Sequence, residues 1–374
     1  MKIASIVGAR PQFVKAAPVS RAIREAAAAG RDIAEILVHT GQHYDGNMSD
    51  IFFKELGIAA PDHHLGIGSA SHGVQTGAML AAVEQVLENE RPDRVLIYGD
   101  TNSTLAGALA AAKLHIPAAH VEAGLRSYDR NMPEEINRVV ADHLATLLFC
   151  PSRAAAANLR KEGIRAGVHV VGDVMAEALE CAVAAAGRRE REGRRKFGLG
   201  RLGLEEGGYA LATIHRAENT DDPARLKNIL DALAEVARRR PVIFPVHPRT
   251  RKRIAAAGWK PAVRAASGIR FIDPLGPLEM ARLESGAAMI LTDSGGVQKE
   301  ACWLKVPCVT LRDRTEWGET VASGWNVLAG ADKKRIIQAV REFKRPARSS
   351  PRFGRSSASD VPASRRIVEI LLNS

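Results

Sequence analysis

The chain has 374 residues, enough for about two domains of roughly 100–200 residues each. Its composition, 46% hydrophobic and 25% charged, suits ordinary water-soluble cores, and no apolar run approaches the roughly 20 residues needed to cross a bilayer. A net charge of +11 favours an acidic ligand, but aromatics are only 5% and are not interleaved with the basic runs Arg188–Lys196 and Lys344–Arg366, so those runs read as solvated faces and nucleic acid is not the expected partner.

Met1-Lys2-Ile3-Ala4 enters a strand directly, without the charged and apolar regions of a signal peptide, so a cytoplasmic protein is expected. From there, short β-branched runs alternate with Ala-, Leu- and Arg-rich helical stretches, the pattern of parallel sheets covered by helices. The first half predicts strands at Lys2–Val7, Ile36–His39, Arg94–Tyr98, Ala118–Glu122, Leu147–Cys150 and His169–Val171. The second half predicts Tyr209–Ile214, Val242–Val246, Ile269–Ile272, Ala288–Thr292, Cys308–Leu311 and Trp325–Leu328. Two such sets imply two doubly wound α/β domains, 1–172 and 173–361, divided ahead of the charged, linker-like region Gly187–Gly207. Pro362–Leu372 reads as an amphipathic helix that crosses back to the first domain. Cys150, Cys181, Cys302 and Cys308 show no C-x-x-C spacing, which points to reduced structural thiols and neither disulfides nor metal ligation.

The strand ends carry the chemistry. After the first strand, Gly8-Ala9-Arg10-Pro11-Gln12-Phe13-Val14-Lys15 opens a helix and offers Arg10 and Lys15 to phosphate oxygens; it is not G-x-G-x-x-G, so no nicotinamide cofactor is indicated. Asp100 follows the strand Arg94–Tyr98. In His120-Val121-Glu122, an apolar approach should keep the Glu122 carboxylate dry, and burial raises a carboxyl pKa toward the range a proton-transferring group needs. A helix from Pro133 has Ile136, Val139, Val140, Leu144 and Leu147 on one face, while Glu134 and Arg138, four apart, could be a simple surface pair.

In the second half, His215-Arg216 and His247-Pro248-Arg249 each end a strand. A His pair without a third ligand argues against zinc, and hydrogen bonding to a phosphate or hydroxyl makes better sense. Thr292-Asp293-Ser294-Gly295-Gly296 then breaks an apolar run and starts a helix. Its glycines let main-chain N–H groups approach a ligand, and the helix dipole favours an anion such as a pyrophosphate. Glu300, one turn further on, could accept hydrogen bonds from ribose hydroxyls. There is no G-x-S-x-G, H-E-x-x-H or G-x-x-x-x-G-K-[ST] in the chain.

These motifs together with Gly41-Gln42-His43-Tyr44-Asp45 and Met132-Pro133-Glu134-Glu135, in order from about residue 1 to 330, resemble the non-hydrolysing UDP-N-acetylglucosamine 2-epimerases. The resemblance implies two Rossmann-like domains facing a cleft, as in GT-B glycosyltransferases, a homodimer, no cofactor and no metal. It implies inversion at C2 of a UDP-N-acetyl-amino sugar, by elimination of UDP to a glycal and re-addition. Carried over position by position, Arg10, His215, Ser294, Gly295, Gly296 and Arg312 hold the diphosphate and uridine and Glu300 the ribose. Asp100, Glu122 and Glu134 are the carboxylates near C1 and C2, with Asp100 and Glu122 expected to move the proton; Lys15, Arg138 and His247 are further cleft residues.

Gly8-Ala9-Arg10-Pro11-Gln12-Phe13, Gly41–Ser49 and Ala217–Pro223 look more like the branch acting on UDP-2,3-diacetamido-2,3-dideoxyglucuronate. Pro277 stands where the family usually has Tyr, and Met280 lies near the position of an aromatic facing the uracil. The rival readings are a GT-B glycosyltransferase, distinguished by transfer without exchange at C2, and a nucleic-acid-binding protein, distinguished by steep salt dependence.

Overall fold

The computed structural model describes residues 1–42, 55–192, 197–256, 258–259, 267–346 and 361–374. His43–Ser49 of the motif beginning at Gly41, and parts of both basic runs, lie outside the described residues. The chain divides into two compact units, Met1–Glu180 with Gly354–Ser374, and Cys181–Phe353.

In the first unit, seven strands form one sheet: β1 (Lys2–Val7), β2 (Ala34–His39), β3 (His63–His64), β4 (Arg94–Tyr98), β5 (Ala118–Val121), β6 (Leu147–Cys150) and β7 (Val168–Val170). Their order is β3-β2-β1-β4-β5-β6-β7 and the pairs are parallel. Alternate residues feed opposite faces, as the two-residue strand period requires. Ile3, Val7, Leu96 and Tyr98 pack with Phe13, Val19 and Ile23 of the helix Arg10–Ala28 and with Ile367, Val368 and Leu371 of the helix Ala363–Leu372. Ala4, Ile6, Val95 and Ile97 pack with Val83 and Leu87 of the helix His72–Glu90 and with Ala108 and Ala111 of the helix Asn102–Lys113.

The second unit repeats this plan with β8 (Ala210–Thr213), β9 (Val242–Pro245), β10 (Ile269–Ile272), β11 (Met289–Thr292), β12 (Cys308–Thr310) and β13 (Asn326–Leu328). The order is β10-β9-β8-β11-β12-β13, again parallel. In each sheet the strand order reverses once, between β1 and β4 and between β8 and β11. The carboxyl ends beside such a reversal are where open α/β sheets bind ligands. The doubly wound α/β class expected from the alternating pattern is thus present in both units.

Three local features differ from the sequence reading. β3 is a two-residue edge strand whose two histidines form no apolar run. β5 stops at Val121 because Glu122 takes a left-handed conformation, φ 72°, and cannot continue the ladder. The helix Pro133–Leu144 buries Glu135, Asn137, Ala141 and Asp142, whereas Ile136 is 52% exposed. Its polar side faces inward because those side chains satisfy main-chain and charged groups at the strand ends. Cys150, Cys302 and Cys308 are buried free thiols and Cys181 is half-buried; burial pushes Cys150 and Cys308 up to about 12. Among the described residues no helix is long and apolar enough to cross a membrane.

Candidate active site

At the β1–β4 reversal, the turn after β1 is fixed by Gln12. Its Oε1 accepts from the N–H groups of Gly8 (2.8 Å) and Ala9 (3.0 Å), and its Nε2 donates to the Tyr98 carbonyl (3.0 Å) and Thr104 Oγ1 (3.1 Å). A glutamate there would lose the two donated bonds, which gives the Gln of Gly8–Phe13 a physical reason. Arg10 is half-buried at the head of this helix.

Lys15 does not present itself as a lone phosphate cation. It points along the sheet to Glu122 and forms an ion pair with it, each side chain 7% exposed. Gly99 leaves room for this pair: a Cβ there would lie 2.6 Å from Lys15 Nζ and 3.3 Å from Glu122 Oε2, and the φ of 63° is itself glycine-favouring. Asp100 follows directly and pairs with Arg138, whose second nitrogen reaches Glu135 Oε2 at 2.8 Å. Arg138 therefore serves Asp100 and Glu135, and the surface pair with Glu134 is not formed. Burial pushes the Glu135 carboxyl up, but hydrogen bonds from Ser127 and Tyr128 and the charge of Arg138 more than offset it and hold it below the ordinary value. Glu134 itself is exposed.

Beneath Asp100, Asn137 donates to its carbonyl at 2.9 Å. His120, with no exposure, sits between Asp142 Oδ1 and the Gly99 carbonyl, both at 2.7 Å. Asp142 also accepts from Gly124 N–H at 3.0 Å and from Arg126 at 2.7 Å. One buried aspartate thereby ties the turn after β5 to the turn after β4.

The second unit places its predicted residues at the ends of β8, β9, β11 and β12. Ser294 caps the helix Gly295–Leu304, with its N–H donating to Thr292 Oγ1 at 2.9 Å, and Gly296 faces open space apart from Ser294 Oγ at 3.9 Å. Asp293, which matches Asp100 in the repeated plan, turns inward. It is fully buried and accepts from the N–H groups of His215 (3.0 Å) and Arg216 (3.1 Å) and from Asn219 Nδ2 (3.1 Å). Asn219 donates also to the Leu311 carbonyl at 2.9 Å, so one buried carboxylate and one amide register three strand ends.

His215 is half exposed, with Nδ1 3.5 Å from Asp293. Burial pushes its imidazole below the ordinary histidine value; Asp293 pulls the other way, and Arg216 and His247 add to the depression. The ring is therefore neutral at pH 7 and can donate or accept one hydrogen bond. His247 is exposed at the end of β9. Arg312 binds Glu218 (2.8 Å) and Glu316 (3.0 Å), so it is oriented by two carboxylates as well as offered to a ligand. Met280 lies half-buried against the apolar cluster of Leu199, Leu283 and Val297. Glu300 contacts Glu284, a fully buried carboxyl whose pKa stands well above the ordinary range because burial, and then the neighbouring Glu300, disfavour its charge.

Gln12, Glu135, Asn137, Asp142 and Arg216, which organise or adjoin these strand ends, were not among the residues expected from the sequence. His120 and Arg216 stood inside recognised motifs; Asp142 carried no local signal.

The chain matches the family described as UDP-N-acetylglucosamine 2-epimerase over residues 25–372. It is 51% identical over 374 residues, the whole of both chains, to a UDP-N-acetylglucosamine 2-epimerase homolog of Methanococcus maripaludis. It is 51% identical over 346 residues, 91% of this chain and 92% of the other, to the UDP-2,3-diacetamido-2,3-dideoxy-D-glucuronate 2-epimerase of Pseudomonas aeruginosa. Its fold is similar to the crystal structure of Methanocaldococcus jannaschii UDP-GlcNAc 2-epimerase in complex with UDP-GlcNAc and UDP, with a TM-score of 0.86, 43% identity and full coverage of both chains.

Proposed function

The chain belongs to the UDP-N-acetylglucosamine 2-epimerase family, and from that membership we propose that its sugar substrate is UDP-2,3-diacetamido-2,3-dideoxyglucuronate, with UDP-N-acetylglucosamine as the alternative. The enzyme inverts C2 of a UDP-N-acetyl-amino sugar without net hydrolysis. Overall identity does not separate the two, being 51% both to the diacetamido-glucuronate enzyme and to the UDP-N-acetylglucosamine 2-epimerase homolog, so the finer choice is supported by the likeness of Gly8–Phe13, Gly41–Ser49 and Ala217–Pro223 to the diacetamido-glucuronate branch.

A C2–H flanked by no carbonyl is a poor acid. Its removal has to be coupled to departure of UDP from C1, and the charge growing on the leaving pyrophosphate needs donors. In this reading a carboxylate takes the C2 proton as the C1–O bond breaks, leaving a glycal and UDP. A proton then returns to the opposite face of C2 as UDP re-adds to C1. Asp100 and Glu122 are the proposed proton carriers, with Glu134 held in reserve. The observation that carries this assignment is the pairing of each with one buried or half-buried cation, Arg138 and Lys15, at adjacent strand ends. Such pairing fixes both carboxylates before substrate arrives. Arg10, His215, Ser294, Gly295, Gly296 and Arg312 take the diphosphate and uridine, Glu300 the ribose, and Met280 the apolar side of the base; His247 lines the same strand ends. A cytoplasmic homodimer is part of the proposal, tested by sedimentation equilibrium.

Proton NMR in deuterium oxide with each UDP-sugar in turn tests the substrate. Loss of the C2 proton signal with appearance of the manno epimer is expected with the diacetamido-glucuronate. Turnover of UDP-N-acetylglucosamine alone would move the substrate to the alternative. Asp100→Asn and Glu122→Gln are expected to bind UDP yet abolish exchange at C2; unchanged exchange would remove the proton-carrier roles.

A further inference from the structure

The Arg216 guanidinium has no carboxylate partner among the described residues, and its buried Nε makes no hydrogen bond. Arg312, by contrast, is bound to Glu218 and Glu316, and Arg138, whose buried Nε likewise makes no hydrogen bond, has its terminal nitrogens on Asp100 and Glu135. The nearest acid to the Arg216 main chain, Asp293, is occupied by main-chain N–H groups and by Asn219. A buried donor without an acceptor carries a desolvation penalty that an acceptor brought by a ligand would offset.

The guanidinium also points somewhere definite. A Cβ built on Gly295 would stand 3.9 Å from Arg216 Nη2, and 2.8 Å from the indole Nε1 of Trp317. Two N–H donors therefore converge on the glycine that opens the helix Gly295–Leu304. Trp317 is held there from behind: Lys299, 1% exposed, lies 4.2 Å from its ring centroid and 5.4 Å from that of Trp303. The cation fixes the ring plane and leaves the N–H edge toward Gly295.

We infer that Arg216 and Trp317 are further binding residues of this site, donating together to the phosphate of a nucleoside diphosphate bound at Ser294–Gly296. Arg216 supplies a full charge and Trp317 a directional neutral donor, both aimed where charge develops as UDP leaves. The inference rests on the reading that UDP occupies this turn.

Calorimetric titration of wild type, Arg216→Gln, Arg216→Lys and Trp317→Phe with UDP and with uridine tests it. A hydrogen bond to a charged group is worth about tenfold or more in affinity. Arg216→Gln is expected to weaken UDP about tenfold or more and leave uridine within about twofold; Arg216→Lys is expected to keep part of the loss from occurring. Trp317→Phe, which preserves the ring over Lys299, is expected to weaken UDP about threefold to tenfold. Without ligand, the Arg216→Gln protein is expected to melt no lower than wild type, since it loses no partner. UDP affinity unchanged in both Arg216→Gln and Trp317→Phe, or equal losses for UDP and uridine, would overturn the inference. Failure of wild type to bind UDP at all would instead sink the functional reading beneath it.

Discussion

Lys15 and Glu122 meet as an ion pair in which each side chain is only 7% exposed. Removing one partner from a buried pair costs about 3–5 kcal/mol, because a charge remains in a dry setting, whereas removing both is far milder. Lys15→Met should therefore destabilise the first unit strongly, and Lys15→Met with Glu122→Gln should recover much of that loss. Urea denaturation of the two single variants and the double variant checks this; single effects that simply add would show that the pair is not energetically coupled. Gly99→Ala should resemble Lys15→Met, since its methyl would stand 2.6 Å from Lys15 Nζ at a φ of 63°.

Asp293 is the second buried carboxylate with a definite task. It satisfies two main-chain N–H groups and the Asn219 amide, all within 3.1 Å at best, and has no solvent exposure. Asp293→Ala leaves those donors buried, at about 1–3 kcal/mol each before relaxation. The expected result is a loss of about 3 kcal/mol or more in stability, together with weaker UDP binding, because Arg216 loses its main-chain anchor. Ser294→Ala, one residue along, should leave stability within about 0.5 kcal/mol. Similar melting temperatures for the two variants would show that the carboxylate does not hold the turn.

Much of the scaffold was legible because its signals are local. The apolar runs Lys2–Val7, Arg94–Tyr98, Leu147–Cys150 and Ile269–Ile272 are strands over those same residues. Ser294-Gly295-Gly296 shows its turn in its glycines. What stayed hidden depends on partners far along the chain. The reach of Arg138 to Asp100 spans 38 residues and overrode the surface pair with Glu134. The inward face of Pro133–Leu144 looked like its outer face because site polarity reversed the usual pattern. Asp100 and Asp293 read alike in sequence, yet one pairs with an arginine and the other binds the main chain; only the surrounding donors distinguish them.

Glu284 leads to a pH dependence. Complete burial, and then the neighbouring Glu300, raise its folded pKa well above the ordinary glutamate value. A raised carboxyl favours the folded state in its protonated form; that contribution is complete below the unfolded pKa and is lost as pH rises through the folded one. Wild type should thus lose stability from above the ordinary glutamate range upward, at up to about 1.4 kcal/mol per pH unit. Glu284→Gln stays neutral and can still donate to Glu300, so its melting temperature should fall less between pH 5 and 8. Parallel curves for the two proteins would show that Glu284 takes up no proton on folding.

His120 carries the last prediction. Its two ring nitrogens lie 2.7 Å from Asp142 Oδ1 and from the Gly99 carbonyl, so the ring bridges a carboxylate and a main-chain oxygen. Burial pushes Asp142 up, but His120 and Arg126 more than offset it and keep it ionised below the ordinary aspartate range. The pair grips the Gly99 carbonyl from one side and Gly124 N–H from the other, so it fixes the turns that carry Asp100 and Glu122. His120→Asn can reach at most one of the two acceptors. A displacement of about 1 Å at a reacting group can lower rate 100-fold. The variant is therefore expected to lose kcat by about tenfold to a hundredfold while KM for the UDP-sugar changes less than about threefold, since His120 contacts the turns of the two carboxylates and none of the residues proposed to hold the nucleotide. His120→Gln, longer by one methylene, should restore part of the rate. Steady-state kinetics at pH 7 decide it: a rise in KM with kcat unchanged would mean that His120 serves binding and not the placement of the carboxylates.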